Sequence, residues 1–247
     1  MKNAAYFRYW GKTEKYGERY HLLPYHCLDV AAVEWYLLAP EKPLCQRLAA
    51  QFGVEPIWLQ KFFVFCLALH DIGKFARAFQ GLRQGMSPDL VKANSRMSYS
   101  ERHDTLGFWL WRKHLISEVS KLYPDNSSWL NKIEPWLEIV TGHHGMPPKK
   151  SGGRMADFYE SEDEEAATLF VQDISGLFLS AFDYSPLLDK TIKQRLKTIS
   201  WQLAGVAVLA DWVGSNQDYF KYCIKPMPMP DYWITHALPS AEKAIKA

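Results

Sequence analysis

The chain has 247 residues, of which 48% are apolar and 15% aromatic, and its net charge is +2. This composition supports one compact domain with a large core and excludes a disordered chain. The small net charge neither supports nor excludes a nucleic-acid partner, because such binding needs a local basic patch. The longest apolar run, 62–69, is too short to cross a bilayer, the first residues lack a signal peptide, and the four cysteines form no CxxC pair. We therefore expect a cytoplasmic protein with reduced thiols and no membrane association.

Apolar residues recur at helical spacing in several windows, whereas strand-like runs with hairpin turns are missing, so the sequence predicts an all-α fold. The first predicted helix covers 24–37, with proline in its first turn and His26 one turn in. The second covers 57–69, which places His70 and Asp71 near its C-terminal end. Further helices are predicted over 105–119, 129–141, 166–180 and 191–212.

Two segments interrupt this pattern and are predicted to be long loops that flank a site, 81–102 and 147–165. The second ends in an acidic run over 160–165, which we expect to be a solvated loop. After residue 222, three prolines predict a linker, followed by a short helix over 237–246. The chain is accordingly divided into a helical domain over 1–222 and a segment over 223–247 that leads to, or docks, a further domain.

Metal-binding side chains occur in five elements along the chain. These are His26, the pair His70-Asp71, His103, the pair His143-His144, and Asp211. Mixed imidazole and carboxylate ligands suit Mn, Fe, Ni or Co, and make Mg less favourable. Seven candidates also exceed the three or four ligands that one catalytic ion takes. We therefore expect two divalent transition-metal ions, with Asp71 as the natural bridge and Lys74 near enough to contact a substrate phosphate.

Each of these elements alone is weak evidence, because His-Asp and His-His pairs are common by chance. The specificity lies in their order and in Asp211, which follows the apolar run 206–210 on a predicted helix. A carboxylate in such a place is costly unless it is paired or coordinated. His21, His114 and His236 fit no position in this pattern and are expected on the surface or in packing contacts.

The ordered pattern resembles the HD phosphohydrolase superfamily, whose defining elements are a histidine, a His-Asp pair and a late aspartate. His103 and the His143-His144 pair are what its two-metal nuclease branch adds. Longer segments resemble the HD nuclease domain of the CRISPR-associated type I nuclease-helicases, most nearly the type I-E form. These segments are YWGK (9–12), HLLPYHCLDVAA (21–32), ALHDIGKF (68–75), VTGHHG (140–145) and LADWVGS (209–215).

The resemblance implies a single helical HD-domain bundle with long loops around a two-metal site, which cuts single-stranded DNA in CRISPR type I interference. It assigns His26, His70 and Asp211 to one metal. It assigns His103, His143 and His144 to the other, with Asp71 bridging both. The implied partners are a helicase domain or subunit of the same system and an RNA-guided CRISPR surveillance complex. Because no GxxxxGK[ST] loop occurs, we expect either a stand-alone nuclease subunit or an excised domain.

Our candidates for holding the DNA backbone are Ser215 and Asn216, just after Asp211, and Arg96 and Arg102 in the first long loop. Little base readout is expected, because such a nuclease contacts the backbone. Two alternatives stay open. One is an HD-type nucleotide or cyclic-nucleotide phosphohydrolase, and the other is an inactive docking module, which would be expected to have lost a ligand.

Overall fold

A computed structural model describes residues 4–123 and 127–247, and most of them are helical, as predicted. The α-helices are α1 (Leu23–Leu37), α2 (Pro43–Phe52), α3 (Pro56–Ala68), α4 (Arg77–Gln80), α5 (His103–Leu110), α6 (Ile116–Ser120), α7 (Glu134–Thr141), α8 (Ser161–Phe178), α9 (Ser185–Leu188), α10 (Ile192–Gly214), α11 (Met229–Tyr232) and α12 (Leu238–Lys246). Short 3₁₀ turns cover Ala5–Arg8, Ile72–Phe75, Ser128–Lys132, Gly142–His144 and Met155–Asp157. A π turn, Trp111–Leu115, joins α5 to α6.

Two short strands precede the first helix, β1 (Trp10–Thr13) and β2 (Tyr20–Leu22). They pair antiparallel, with an irregularity between Trp10 and Lys12. This hairpin lies against the start of α1, where a β-carbon on Gly11 would come within 2.9 Å of the Leu23 Cα. The close approach fixes Lys12 beside the first turn of α1.

Helices α1 and α3 form the centre of the bundle. Both are apolar on nearly every face, and a helix of that kind is stable only when neighbours cover it on all sides. The neighbours of α1 are α3, α10 and α12, while α3 also packs against α2, α7 and α8. Polar side chains that point inward from α1 therefore lie deep in the fold.

The acidic run over 160–165 is not the solvated loop that the sequence predicts, because α8 begins inside it. The Glu160 backbone N–H donates to the Asp163 carboxylate at 2.9 Å, in a capping box at the start of the helix. Asp163 is fully buried, and it accepts hydrogen bonds from Arg77 Nη2 at 2.8 Å and Tyr9 Oη at 2.6 Å. The buried Arg77 guanidinium, from a distant segment, thus stabilises a helix start where the sequence predicts a loop.

The C-terminal segment packs on the rest of the bundle. Its helix starts at Met229, earlier than the predicted residue 237, and runs through α11, the π turn Trp233–Ala237 and α12. Tyr232 Oη donates to Asp29 Oδ1 of α1 at 3.0 Å, and Asp29 Oδ2 lies 2.9 Å from His21 Nε2. Residues 229–246 are therefore tied to α1 by buried polar contacts as well as by apolar packing.

Within the described residues, no single helix is both long and apolar enough to cross a membrane. The bent pair Pro43–Phe52 and Pro56–Phe75, whose two parts meet at 93°, reaches that threshold only when both parts are counted together.

Candidate metal centre

Close crossings of the backbone bring four separate segments to one point. Helix α10 crosses α1 so tightly that a β-carbon on Gly214 would lie 2.9 Å from the Val30 Cα. The turn after α3 crosses α5 through two facing glycines, and a β-carbon on Gly73 would lie 1.8 Å from the His103 carbonyl oxygen. The first crossing sets Asp211 beside His26, and the second sets Asp71 beside His103.

His70 and Asp71 follow the end of α3 and precede the Ile72–Phe75 turn, outside regular α-helix. Within an α-helix, adjacent side chains diverge by about 100°. The open backbone here lets both side chains face the same cluster, where His70 Nε2 lies 3.3 Å from Asp71 Oδ2. The expected opening of this helix end is therefore seen.

The two carboxylate oxygens of Asp71 face different sets of histidines. Oδ2 lies 3.0 Å from His26 Nε2 and 3.3 Å from His70 Nε2. Oδ1 lies 3.3 Å from His103 Nε2 and 3.8 Å from His143 Nε2. Asp71 is thus the one carboxylate of the cluster that reaches both sets.

All seven residues of the sequence pattern meet here, in groups whose ligand atoms lie within 4.8 Å of one another. The groups are His26, His70 and Asp211; His103, His143 and His144; and His70, Asp71 and His143. Asp211 Oδ1 lies 3.7 Å from the Nε2 atoms of both His26 and His70. In the second group, His144 Nε2 lies 3.0 Å from His103 Nε2.

The donor atoms fit divalent cations. Buried atoms without a well-oriented hydrogen bond include Nε2 of His26 and His70 and both carboxylate oxygens of Asp71. Buried polar atoms are rarely left in that condition, because each costs about 1–3 kcal/mol. Convergent imidazole lone pairs and carboxylate oxygens are relieved of that cost when a cation binds between them.

Two of the imidazoles, those of His70 and His143, are held by backbone carbonyl groups on the side away from the cluster. Nδ1 of His70 lies 2.9 Å from the Leu67 carbonyl oxygen, and Nδ1 of His143 lies 2.9 Å from the Val140 carbonyl oxygen. A carbonyl oxygen only accepts, so each Nδ1 carries the proton and leaves the Nε2 lone pair directed at the cluster. This is the usual outer support of a metal-binding histidine.

His103 is supported by the Tyr99 hydroxyl instead of a carbonyl. Tyr99 Oη accepts a hydrogen bond from the His103 backbone N–H at 2.8 Å and lies 2.9 Å from His103 Nδ1. One hydroxyl therefore fixes both the backbone and the ring of this histidine.

Three residues of the cluster, His26, His143 and Asp71, have pKa shifts that favour the charge states of metal ligands. Burial, followed by the nearby Lys12 and Lys74 ammonium groups, holds the pKa of His26 well below its usual range. Burial lowers the pKa of His143 to about 3. Burial disfavours ionisation of Asp71, but the Lys74 ammonium and the imidazoles outweigh it and hold the pKa of that carboxyl well below its usual range. Neutral imidazole and ionised carboxylate are the forms that bind metal.

Two lysines lie against the cluster. Lys74 is buried, and its Nζ lies 2.5 Å from Asp71 Oδ2 while donating to the Gly11 carbonyl oxygen at 3.0 Å. Lys12 Nζ lies 3.9 Å from Asp211 Oδ1, and about a third of the Lys12 side chain, 31%, is exposed. Burial and the neighbouring Lys74 charge lower the pKa of Lys12. Lys74 thus faces the Asp71 carboxylate, and Lys12 lies between the cluster and solvent.

The four residues predicted to hold DNA are placed differently. Ser215 Oγ donates to Asp211 Oδ1 at 3.2 Å, at the edge of the cluster, and the exposed Asn216 accepts from the Asp218 backbone N–H at 2.8 Å. Arg102, next to His103, forms an ion pair with Asp104, in which Arg102 Nη2 lies 2.9 Å from Asp104 Oδ2. Arg96 is exposed in the first long loop. A role of these four in holding DNA stays a prediction.

The three histidines left out of the pattern also lie outside the metal cluster. His21 is buried against Asp29, and its Nδ1 accepts from the Cys223 backbone N–H at 2.9 Å. His114 Nε2 lies 3.2 Å from Thr168 Oγ1. The exposed His236 stacks on the Tyr232 ring. All three make surface or packing contacts, as expected.

Sequence reasoning missed Lys12 and Tyr99 as neighbours of the cluster. Lys12 stands in the YWGK segment, but no spacing rule joins a strand residue to a carboxylate almost 200 positions later. Tyr99 stands four residues before His103, a helical spacing, yet the backbone between them is irregular. A tyrosine next to a candidate ligand was the available signal.

The chain is similar in sequence to known proteins over most of its length. The profile of the family described as "Cas3, HD domain" matches residues 10–220. The CRISPR-associated endonuclease/helicase Cas3 of Escherichia coli (strain K12) is 31% identical over an alignment of 236 residues, covering 84% of this chain and 25% of that protein. This chain therefore spans about a quarter of the length of the curated relative it matches.

Solved structures share the fold. The Thermus thermophilus Cas3 HD domain in the presence of Ni²⁺ superposes with a TM-score of 0.61 at 18% identity, covering 98% of this chain and 88% of that one. A chain of a CRISPR RNA-guided surveillance complex in a pre-nicking state superposes with a TM-score of 0.67 at 19% identity, covering 97% of this chain and 28% of that one. The helical HD-type fold expected from the sequence is confirmed.

Proposed function

We propose that this chain, which belongs to the Cas3 HD-domain family, is a metal-dependent nuclease that hydrolyses phosphodiester bonds of single-stranded DNA in CRISPR type I interference. One observation carries the proposal. The Asp71 carboxylate lies between two groups of ligands, with one oxygen facing each group. A shared carboxylate is the arrangement expected when two ions act together on one phosphate.

The ligand sets follow from the groups already described. His26, His70 and Asp211 would hold one ion, while His103, His143 and His144 would hold the other, with Asp71 shared. Five imidazoles among seven ligands favour Mn, Fe, Ni or Co over Mg. When bound, such ions supply positive charge that polarises a phosphate and makes water more acidic.

The residues of the chain itself have separable tasks. Lys74 holds the Asp71 carboxylate in place, because its ammonium group contacts Asp71 and donates a hydrogen bond to the Gly11 carbonyl oxygen. A direct contact between Lys74 and a phosphate stays a prediction. Lys12, with its exposed side, is better placed to meet a phosphate oxygen of the strand. Ser215, whose hydroxyl donates to Asp211 at the edge of the cluster, would contact the DNA backbone next to it.

The partners are proposed from the relatives. The Escherichia coli relative is an endonuclease/helicase, and a chain of the surveillance complex shares the fold. We propose that this domain works in the cytoplasm with a helicase domain or subunit and with an RNA-guided surveillance complex. The segment 223–247 is then the part of the chain that leads to, or docks, that helicase.

The direct test is degradation of circular single-stranded DNA by the full chain. We expect nicking in Mn²⁺, none in EDTA, and none for Asp71→Ala, because removing the shared carboxylate weakens both ion sites. Asp231→Ala changes an exposed aspartate on α11 and is the matched control, with activity like the wild type. Turnover of mononucleotides or cyclic nucleotides without cutting of DNA would contradict the proposal and favour a nucleotide phosphohydrolase.

A further inference from the structure

A groove of about 490 Å³ runs along α10 beside the metal centre. One wall is α10 itself, from Lys193 to Val208. The opposite wall is α7 and the following turn, including Gly142 and Gly145, which flank His143 and His144. The groove therefore begins at the turn that carries two candidate metal ligands.

Helical geometry gives the groove a direction. Residues three or four apart share a face of a helix, so Asp211, Val208, Ala204, Trp201 and Lys197 lie along one side of α10. From Lys197 to Asp211 the helix rises about 21 Å at 1.5 Å per residue. The groove thus leads from the metal cluster along a length that accommodates several nucleotides.

Large apolar side chains border this groove and stay exposed. Trp201 on one wall is 88% exposed, and Met146 on the opposite wall is 62% exposed. Trp212, directly after Asp211 on α10, is 72% exposed. Ala204 and Gly205 also line this wall, and neither side chain is large enough to cover the Trp201 ring. Contiguous exposed apolar surface of this kind marks a binding face.

The charge of the groove is positive. Lys193 and Lys197 are exposed at the end away from the metal cluster. The acidic residue among the lining side chains, Glu138, is already neutralised by Lys150, whose Nζ lies 2.8 Å from its carboxylate. A wholly apolar partner gains nothing from two lysines, whereas a phosphate backbone does.

We infer that the groove between α7 and α10 holds the single strand next to the metal centre, with a base stacked on Trp201 and backbone phosphates against Lys193 and Lys197. The inference rests on the proposed nuclease function and adds the path of its substrate. Aromatic platforms combined with a basic groove bind single strands without sequence preference, because every base has a stacking face.

Binding is measured first, by fluorescence anisotropy of a labelled 15-nucleotide oligothymidylate with the full chain in EDTA. Trp201→Ala should weaken binding at least about fivefold, the lower end of the loss of one base stack. Lys197→Gln should make the slope of log affinity against log salt shallower by about 0.7, the contribution of one phosphate contact. Tyr16→Ala on the β1–β2 connection and Lys243→Gln on α12, both exposed, are the matched controls and should bind like the wild type.

Hydrolysis then separates failure of this inference from failure of the proposed function. With Mn²⁺, the ratio of oligothymidylate to bis(p-nitrophenyl) phosphate hydrolysis should fall for Trp201→Ala, since the small diester needs no groove. Unchanged binding and an unchanged ratio, in a chain that still cuts DNA, would overturn the groove assignment alone. If Trp201→Ala leaves DNA binding intact but weakens capture of the partner helicase, the face binds protein and the inference is wrong. A wild type that hydrolyses only the small diester would overturn both proposals.

Discussion

Removing the Tyr99 hydroxyl should weaken one of the two proposed metal sites and spare the other. Tyr99→Phe deletes the group that meets the His103 backbone N–H at 2.8 Å and its Nδ1 at 2.9 Å. It keeps the ring, which packs edge-on against Phe79 with centroids 5.5 Å apart. The change therefore tests orientation of His103 with little change in packing.

The size of the effect follows from the role of the hydroxyl. Loss of an outer hydrogen bond to a metal-binding histidine typically costs about 10–100-fold in metal affinity, or about 1.4–2.8 kcal/mol. The loss should fall on the site of His103, His143 and His144. The site of His26, His70 and Asp211 should change by less than about threefold, because the supports of His70 lie on a different segment.

Isothermal titration of the chelator-treated chain with Mn²⁺ measures both sites in one experiment. Tyr6→Phe is the matched control, since it deletes a tyrosine hydroxyl that donates to Asp173 Oδ2 at 2.6 Å, away from the cluster. We expect one weakened binding event in Tyr99→Phe and two unchanged events in Tyr6→Phe. Equal weakening of both events, or of neither, would refute the positioning role of Tyr99.

Two further predictions concern the fold around the site. Glu34 is fully buried without a hydrogen bond to its carboxylate, and burial raises its pKa well above the usual range. The folded state therefore retains this proton longer than the unfolded state, and the wild type loses up to about 1.4 kcal/mol of stability per pH unit above the ordinary pKa of glutamate. Urea unfolding should show Glu34→Gln gaining on the wild type from pH 5 to pH 7, and a difference that does not vary with pH would contradict this. Gly73→Ala places a β-carbon 1.8 Å from the His103 carbonyl oxygen, so it should lower the free energy of unfolding by at least about 1–3 kcal/mol and weaken metal binding. Gly176→Ala on α8 is the control, because its β-carbon meets nothing within 4 Å and should raise the free energy of unfolding by about 0.5–1 kcal/mol. Equal stability of the two alanine variants in the same assay would show that the crossing is not tight.

Much of the site was readable in the sequence, because its ligands are chemically distinctive and follow a fixed order. The pattern of His26, His70-Asp71, His103, His143-His144 and Asp211 brings together seven residues that meet in space. The helices that carry them were also predictable, since α1 and α3 are long apolar runs with proline in the first turn and α10 carries an apolar face. The sequence could not show which oxygen of Asp71 faces which group, because that depends on the close crossings at Gly73 and Gly214.

The parts that escaped prediction depend on partners far away in the chain. The acidic run over 160–165 became a helix start because Arg77 and Tyr9 reach the buried Asp163. The predicted helix over 129–141 is divided, since the 3₁₀ turn Ser128–Lys132 comes first and α7 starts only at Glu134, next to a proline favoured in a first turn. The C-terminal helix begins at Met229, where proline-rich sequence suggested a linker, because apolar side chains such as Trp233 are buried against the bundle. Local composition cannot reveal such tertiary contacts.

The shared role of Asp71 is tested most directly by anomalous diffraction from crystals of the full chain soaked in Mn²⁺. We expect two peaks, one among His26, His70 and Asp211 and the other among His103, His143 and His144, with an Asp71 oxygen as a ligand of each. A single peak, or two peaks of which only one contacts Asp71, would contradict the two-metal account.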